Sequence, residues 1–482
     1  MVSKLTNPDH APSVRSAVIL ALSALVATGA AGLAGAHGQD RHDRDHDGRD
    51  PVVFSFATVG DNRQDMKSPD PTTLLAVDPD TGEGGPSLTG TLLPQDKEYL
   101  QNSLAWTTIQ SGIQSQNPNL LFFNGDMIYG YGRPTLPTDW AATGQPNSWT
   151  TPQTVSPDAF FEYVQYAYFR GAISPLFNSG TYLMPVPGNH ETQCSFSAAP
   201  YSASSPNPNC DSTATGNKTG KTAYADNENA FRANMSDLVS DLVANLRFSR
   251  VSGFNALNVS GVTPTTAPLA SPNNGPITSS QAELSYSFDI QATNRLLLHF
   301  VVINTDPAGA DSTAPADWLD ADLQAAKARG ADKFFVFGHK PAFTYNYAAA
   351  SGGKVAASGL DANPNIALRD AFWSVITKYN ATYFCGHEHI PNVQKFSDPT
   401  AANKGAAYQV LVGSGGSPFD DKLSGTCPSC TEPVLTNPYD RFYVWALVQV
   451  HKSGNVTLNL YGFSDDFGPT QKLRKYSVES LQ

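Results

Sequence analysis

The chain has 482 residues and 40% apolar content, enough for one large catalytic domain with a decorated surface or two modest domains. Its 35 prolines and 38 glycines call for many turns and long surface loops. A formal charge of -12 argues against a bulk polyanion such as duplex nucleic acid as the natural partner, since the global field repels it, but leaves room for a small anion drawn to a locally cationic site.

Residues 14 to 33 are apolar and small, with Lys4 and Arg15 towards the N-terminal side, and Leu33-Ala34-Gly35-Ala36 has the form of a small-residue cleavage site. The pattern predicts a signal peptide over residues 1 to 36, in preference to a retained membrane anchor, for which the run is nearly long enough. No comparable apolar segment follows, so no stable membrane insertion is expected after cleavage, and the expected location is periplasmic or extracellular. Residues 37 to 51 form a charged His/Asp-rich linker; His37, His42 and His46 have no defined scaffold on which to hold a metal. Five cysteines follow. Cys194 and Cys210 bracket a Ser/Pro/Asn-rich loop and are a candidate disulfide bond in an oxidising compartment. Cys427-Pro-Ser-Cys430 is read as a small disulfide loop, ahead of half a zinc site or a redox pair, because no second Cys-x-x-Cys and no redox-fold pattern follows. Cys385 is then the odd, buried thiol.

The first strand is expected over Val52 to Val59, ending at Gly60-Asp61-Asn62-Arg63 and followed by a polar insertion over 64 to 94. Asp96 to Gln116 reads as a helix, with Tyr99, Leu100, Leu104, Trp106, Ile109 and Ile113 at roughly helical spacing. Asn119 to Asn124 is a second strand leading into Gly125-Asp126-Met127-Ile128-Tyr129-Gly130, and strand, helix, strand is the crossover of a mainly parallel segment. After an insertion over 134 to 157, a helix runs from Asp158 to about Arg170. Its Phe160, Phe161, Tyr163, Tyr166, Tyr168 and Phe169 are assigned to packing rather than to an aromatic substrate wall. The strand Tyr182 to Val186 is broken by Pro187 and leads to Gly188-Asn189-His190-Glu191.

Residues 195 to 220 are a polar insertion, Asn227 to Leu246 an amphipathic helix, and 252 to 283 loop-like. Leu284 to Phe288 and Leu296 to Ile303 read as adjacent strands, Asp317 to Ala328 as a helix, and Lys333 to Phe337 as a strand entering Gly338-His339-Lys340-Pro341. A helix over Ile366 to Tyr379 precedes the strand Ala381 to Cys385 and the block Gly386-His387-Glu388-His389. Tyr408 to Val412 leads into the turn cluster Gly413-Ser414-Gly415-Gly416, and Phe442 to Val450 pairs with Val456 to Phe463. The expected fold class is α/β, as an α+β sandwich: one catalytic domain over residues 52 to 480, with two mixed β-sheets packed face to face, flanked by helices.

Five strand-like runs therefore end in glycine and side chains competent to bind metal. The blocks Asp, Gly-Asp, Gly-Asn-His, His and Gly-His-x-His, in that order over residues 61 to 389, resemble those of the calcineurin-like metallophosphoesterase superfamily, which includes the purple acid phosphatases. The donors are hard oxygens and imidazoles, suited to Fe, Zn or Mn rather than to a thiolate site. The resemblance implies a binuclear centre at the strand ends. Asp126 bridges two ions, Asp61 and His389 serve the first, and Asn189, His339 and His387 serve the second. It also implies attack by metal-bound hydroxide without a covalent intermediate, with His190 protonating the leaving alkoxide.

One position departs from the general pattern, in which the first block reads Asp-x-His; here Arg63 occupies the third place, and a charged guanidinium has no lone pair to donate. Arg63 is thereby available to bind substrate phosphate bidentately, or else to pair with Asp65. Gly125 to Tyr129 resembles the purple acid phosphatase block whose tyrosinate ligates ferric iron; the other reading of Tyr129 is packing beside the strand end. Two divalent or trivalent ions are expected, Fe/Zn or Fe/Mn favoured, with Mn or Zn pairs as the alternative. The continuation Gly-His-Glu-His-Ile-Pro departs from the aromatic one usual in purple acid phosphatases. Gly188 and Gly386 are expected to make tight turns that let the ligands converge. The expected function is an exported phosphoesterase acting on small phosphate monoesters. The alternatives are a phosphodiesterase or nucleotidase of the same fold, or a non-catalytic secreted binding protein.

Overall fold

The run Val52–Val59 forms strand β1, buried over its last six residues, and the computed structural model places it inside a six-stranded sheet. The structure describes residues 50–62, 94–128, 130, 157–195, 221–223, 225–240, 242, 254–261, 280–345, 349–350, 354–355, 358–400, 402, 405–417, 419, 442–464 and 467–477. Val52–Gln482 forms one compact unit. The signal peptide, nearly all of the charged linker, Arg63, Tyr129 and the cores of the three polar insertions lie outside the described residues.

In chain order the helices are α1 (Pro94–Gln116), α2 (Pro157–Ser179), α3 (Asn189–Thr192), α4 (Ala225–Met235), α5 (Ala316–Ala328) and α6 (Ile366–Lys378). After β1 come β2 (Leu120–Asn124), β3 (Tyr182–Val186), β4 (Gln193–Ser195), β5 (Lys221–Ala223), β6 (Ala256–Ser260), β7 (Tyr286–Thr293), β8 (Leu296–Val302) and β9 (Ala331–Phe337). The remaining strands are β10 (Ala349–Ala350), β11 (Lys354–Val355), β12 (Thr382–Cys385), β13 (Pro391–Ser397), β14 (Ala406–Val412), β15 (Phe442–His451), β16 (Val456–Ser464) and β17 (Gln471–Ser477).

Two mixed sheets carry the fold. The six-stranded sheet has the order β17-β16-β15-β1-β2-β3 and the seven-stranded sheet the order β13-β14-β12-β9-β8-β7-β6. Within each, the strands that end in site residues are parallel: β1 with β2 and β2 with β3, and β8 with β9 and β9 with β12. Apolar runs with both faces covered are what such a sheet requires. The facing surfaces meet through phenylalanines. Phe56 of β1 lies 5.1 Å from Phe335 and 5.7 Å from Phe384, and Phe122 of β2 stacks on Phe337 at 3.7 Å. Large rigid rings let a few residues fill the space between the sheets, each burying an area worth roughly 1.5–3 kcal/mol.

Helix boundaries show which sequence signals were overridden. Helix α2 runs on past Gly171 to Ser179 with Pro175 inside it. Pro175 has no N–H for the carbonyl of Gly171, but the Ser174 hydroxyl donates to that carbonyl at 2.8 Å, so the broken turn is satisfied locally. Of its aromatic residues, Tyr166 and Phe169 are buried while Tyr163 is exposed. On α1 the buried stripe contains Trp106, Ile109 and Ile113, and Leu104, expected on that face, is 50% exposed. Helix α4 ends at Met235, and a 3-10 turn follows over Ser236–Leu238, well short of Leu246. The loop-like stretch 252 to 283 contains β6, and β13 and β17 were not anticipated.

The expected disulfide bonds are corrected. Among the described residues there is no disulfide: Cys385 is a free thiol buried within β12, its Sγ 3.7 Å from the Val410 carbonyl. A disulfide needs a second sulfur at bonding distance. Cys210, Cys427 and Cys430 lie outside the described residues. Burial also pushes the Cys385 thiol well up, with Glu388 and Asp61 adding to the effect, so it stays protonated and inert. Among the described residues no helix is long and apolar enough to cross a membrane.

Candidate metal centre

The C-terminal ends of β1, β2 and β3 in one sheet and of β9 and β12 in the other deliver Asp61, Asp126, Asn189 with His190, His339, and His387 with His389 to one place. Parallel strands make this possible, because all their carboxyl ends open on the same edge. Asp61, Asp126, His190, His339 and His389 are at most 1% exposed, and Asn189 is also buried.

Two clusters share Asp126. Asp126, His339 and His387 form one, and Asp61, Asp126 and His389 the other. In the first, His339 Nε2 lies 3.1 Å from Asp126 Oδ1, 2.7 Å from Asn189 Oδ1 and 3.2 Å from His387 Nδ1, which is itself 2.8 Å from Asn189 Oδ1. Donors about 2.1 Å from a common ion are separated by roughly 3–3.5 Å; the Asp126 and His387 contacts of His339 fall in that range, while the Asn189 oxygen sits closer to both rings, at hydrogen-bond distance. In the second cluster, His389 Nε2 is 3.8 Å from Asp61 Oδ1. Two buried carboxylates facing imidazole nitrogens, with Asp126 common to both groups, fit a pair of ions.

The surrounding bonds orient the ligands. His339 Nδ1 lies 2.7 Å from the Asn124 carbonyl, to which it donates, and this turns Nε2 inward. The backbone N–H of His387 is 2.9 Å from both oxygens of Asp61. Burial opposes charging the His339 ring, but the Asp126 and Asp61 carboxylates outweigh it and raise its pKa to about 9. Burial pushes His387 well down, helped by the charge on His339. One imidazolium thus answers the carboxylates in the ion-free protein.

The glycines work differently from the expectation. Gly188 has φ -104°, an ordinary extended value, and Gly386 is not among the residues with positive φ. Neither makes a left-handed turn. Each gives room instead: a Cβ on Gly188 would overlap the Asp126 and Glu191 carboxylates, and one on Gly386 would overlap Asp61 Oδ2. The left-handed backbone is carried by the candidate ligands themselves, Asp61 at φ 64°, Asp126 at 55° and His387 at 73°. Gly413 and Gly415 likewise let their loop pack against the Asp61 and Glu388 segments. There the Gly415 N–H donates to the Gly60 carbonyl at 3.0 Å and the Ser417 N–H to the Asp61 carbonyl at 2.9 Å.

His190 Nε2 is 3.6 Å from Asp126 Oδ2, and its backbone N–H is 3.2 Å from Asp126 Oδ1. Lys340, next to His339, is tied to Asp306 at 2.7 Å and to Ser312 at 2.8 Å. Asn304, at the end of β8, donates to Glu228 and Gln281, a supporting contact away from the ligands.

Sequence reasoning assigned no role to Glu191 or Glu388, and both are almost wholly buried. Glu388, between two candidate ligands, accepts from the Tyr345 N–H at 2.9 Å and the Ser358 hydroxyl at 3.0 Å, joining the two ends of the segment that carries β10 and β11. Glu191 accepts four backbone N–H groups, and burial with the neighbouring Asp126 charge raises its pKa to about 7. The available signal for Glu191 was an acid three places after Gly188, the spacing of a capping box.

No family model and no curated protein sequence matches the chain. Among solved structures it is similar to the purple acid phosphatase PPD1 from yellow lupin (Lupinus luteus) seeds, at 13% identity and TM-score 0.42, covering 89% of this chain and 54% of that one. It is similar also to GAP50, the anchor in the inner membrane complex of Plasmodium, at 12% identity and TM-score 0.35, over 89% and 91% of the two chains. A dimetal phosphatase from Danio rerio gives 11% identity and TM-score 0.37, over 88% and 99%. The chain spans about half the length of the lupin structure. Likeness at this level carries no functional inference, and the site stands on its own residues and distances. The blocks spread along the chain converge here on two donor clusters that share Asp126. The centre has donors fit to hold two metal ions, with Asp126 common to both groups.

Proposed function

We propose that the chain is an exported phosphomonoesterase with a binuclear metal centre held by Asp61, Asp126, Asn189, His339, His387 and His389. The observation that carries the reading is the single carboxylate, Asp126, common to two buried donor clusters. When bound, the ions supply Lewis acidity that activates water and neutralises charge developing on the phosphoryl oxygens. The chain's own groups do the rest. Asp126 sets the spacing of the two donor groups, and Asn124, through its carbonyl, keeps Nε2 of His339 aimed at the centre. Buried beside Asp126, His190 delivers a proton from its ring to the leaving oxygen.

Arg63, two residues beyond Asp61, supports the monoester preference, since a guanidinium grips a dianionic phosphate with two parallel hydrogen bonds. Tyr129, four residues after Gly125, supports an Fe/Zn or Fe/Mn pair through the charge donation that a phenolate gives ferric iron. The apolar stretch over residues 14 to 33 supports export. The deciding experiment compares kcat/KM for p-nitrophenyl phosphate and bis(p-nitrophenyl) phosphate, in the wild type and in Arg63→Ala. Monoester preference that falls in Arg63→Ala supports the proposal. Equal or greater diester turnover, unchanged in Arg63→Ala, turns it towards a phosphodiesterase, and no turnover of either ester by the metal-loaded protein counts against an enzyme.

A further inference from the structure

Asp126 and Asn189 sit on loops far apart in sequence, and each loop departs from regular structure at the place where its ligand is presented. Asp126 is held at φ 55°, unfavourable for a residue with a Cβ. Asn189 opens α3, a single turn of four residues too short to be stable by itself. Something must hold both loops, and it must be able to accept hydrogen bonds from backbone groups that no strand or helix satisfies.

We infer that Glu191 is the positioning residue of the metal centre, its one buried carboxylate fastening the Asp126 loop to the turn carrying Asn189 and His190, so that the ligands are in place before an ion arrives. The inference rests on the reading of Asp126 and Asn189 as metal ligands. Glu191 Oε2 accepts from the Asp126 N–H and from the Gly188 N–H, both at 2.8 Å. Its Oε1 accepts from the Met127 N–H at 2.7 Å and the Ile128 N–H at 3.1 Å. The bond to Gly188 makes the carboxylate half of a capping box at α3, and the other three gather successive amides of the Asp126 loop. The turn is completed by the Thr192 N–H and hydroxyl, which both donate to the Gly188 carbonyl.

Only a carboxylate on a side chain of this length meets the demand. Both oxygens are acceptors, and each takes two of the four donors. A glutamine keeps one acceptor and points an NH2 group at two N–H groups, leaving buried donors unpaired. An aspartate is one methylene short of spanning both loops. Gly188 permits the approach, because a Cβ there would overlap the Asp126 and Glu191 carboxylates.

The test titrates the metal-free full chain with Mn2+ for wild type, Glu191→Gln and Asp289→Asn, reading affinity by calorimetry and pairing of the ions by electron paramagnetic resonance. Asp289 is another buried carboxylate, bonded to His299 and Arg329 on β8 and beyond α5, and its loss controls for general destabilisation. Replacing the groups that orient metal ligands typically weakens binding about 10–100-fold. A loss of that size at both sites is expected for Glu191→Gln, with the exchange-coupled signal altered. Asp289→Asn should lose stability while keeping both affinities. The inference is overturned if Glu191→Gln binds two ions with wild-type affinity and coupling, or if Asp289→Asn loses affinity equally. A wild type that binds no Mn2+ refutes the metal-centre reading and takes the inference with it. Should Glu191→Gln not fold, hydrogen exchange on metal-free wild type decides: slow exchange of the Asp126, Met127, Ile128 and Gly188 amides is expected, and fast exchange there overturns the inference.

Discussion

Asp61, Asp126 and His387 hold left-handed backbone conformations that cost of order 1–3 kcal/mol each, and all three present donors to the centre. Such strain persists only where neighbouring groups fix the geometry, here the His387 N–H on Asp61 and the Glu191 carboxylate under Asp126. Close approach is the second requirement. Gly188→Ala should therefore displace Asp126, with a cost of about 1–3 kcal/mol by overpacking and loss of bound metal, measurable by urea melts and elemental analysis. His190→Ala should behave in the opposite way, keeping its metal while kcat falls about 10²–10⁴-fold. The fall should be smaller for p-nitrophenyl phosphate than for an alkyl phosphate, because nitrophenolate leaves without a proton. An equal loss for both esters, or a loss of metal, would contradict its assignment as the proton donor.

Elements that were legible in the sequence are those buried on both faces. β1, β2, β3, β9 and β12 are mostly apolar runs, and their C-terminal ends were placed to the residue. Besides the short pairs β4 with β5 and β10 with β11, the unanticipated strands are β6, β13 and β17, edge strands at the two margins of the seven-stranded sheet and one margin of the six-stranded sheet. An edge strand buries little and carries polar residues that discourage further pairing, so its alternation is weak and its sequence resembles a loop. β3, the other margin of the six-stranded sheet, was legible because it is buried along its whole length.

The same outer region contains a charge network that no local pattern announces. His299 of β8 is held between Asp289 of β7 at 2.6 Å and Asp322 of α5 at 2.9 Å. Asp289 also accepts from Arg329 at 2.9 Å and from Asn258 of β6 at 2.7 Å, and Ser287 donates to Asp322 at 2.8 Å. Burial alone would discharge His299, but the bonds to Asp289 and Asp322 outweigh it and raise its pKa. The stabilisation from that imidazolium is complete below the ordinary histidine value of about 6.5 and is lost as pH rises through the raised value. For Asp289, burial is outweighed by His299, Arg329 and Asn258, which lower its pKa. Its share is present above the ordinary aspartate value of about 3.9 and is lost as pH falls through the lowered one. Asp289→Asn should cost about 3 kcal/mol near pH 5 to 6, as for a broken buried pair, and its gap from wild type should narrow towards alkaline pH. Urea melts across that range check both the size and the direction; a gap that stays flat with pH would show that His299 is neutral.

At the scale of the whole molecule, two sheets joined through phenylalanines bring five strand ends to one edge, and the order of the blocks along the chain already pointed to the residues that meet there. What the sequence could not announce was depth. Glu191 and Glu388 look like ordinary surface acids beside histidines, and only the packing of distant loops around them makes them buried acceptors. Because the ions would bind the folded chain alone, metal should raise stability by about 2.7 kcal/mol for each occupied site at a hundredfold excess over Kd. A chelator should lower Tm correspondingly, and a Tm indifferent to metal would contradict a built site.

The most direct test of a centre organised on Asp126 is the metal content per chain of the purified protein and three variants. Two ions are expected in wild type, about one each in His339→Ala and His389→Ala, and fewer than one in Asp126→Ala, because that carboxylate belongs to both clusters. One ion or none in the wild type, or two retained in Asp126→Ala, would contradict a binuclear centre bridged by Asp126.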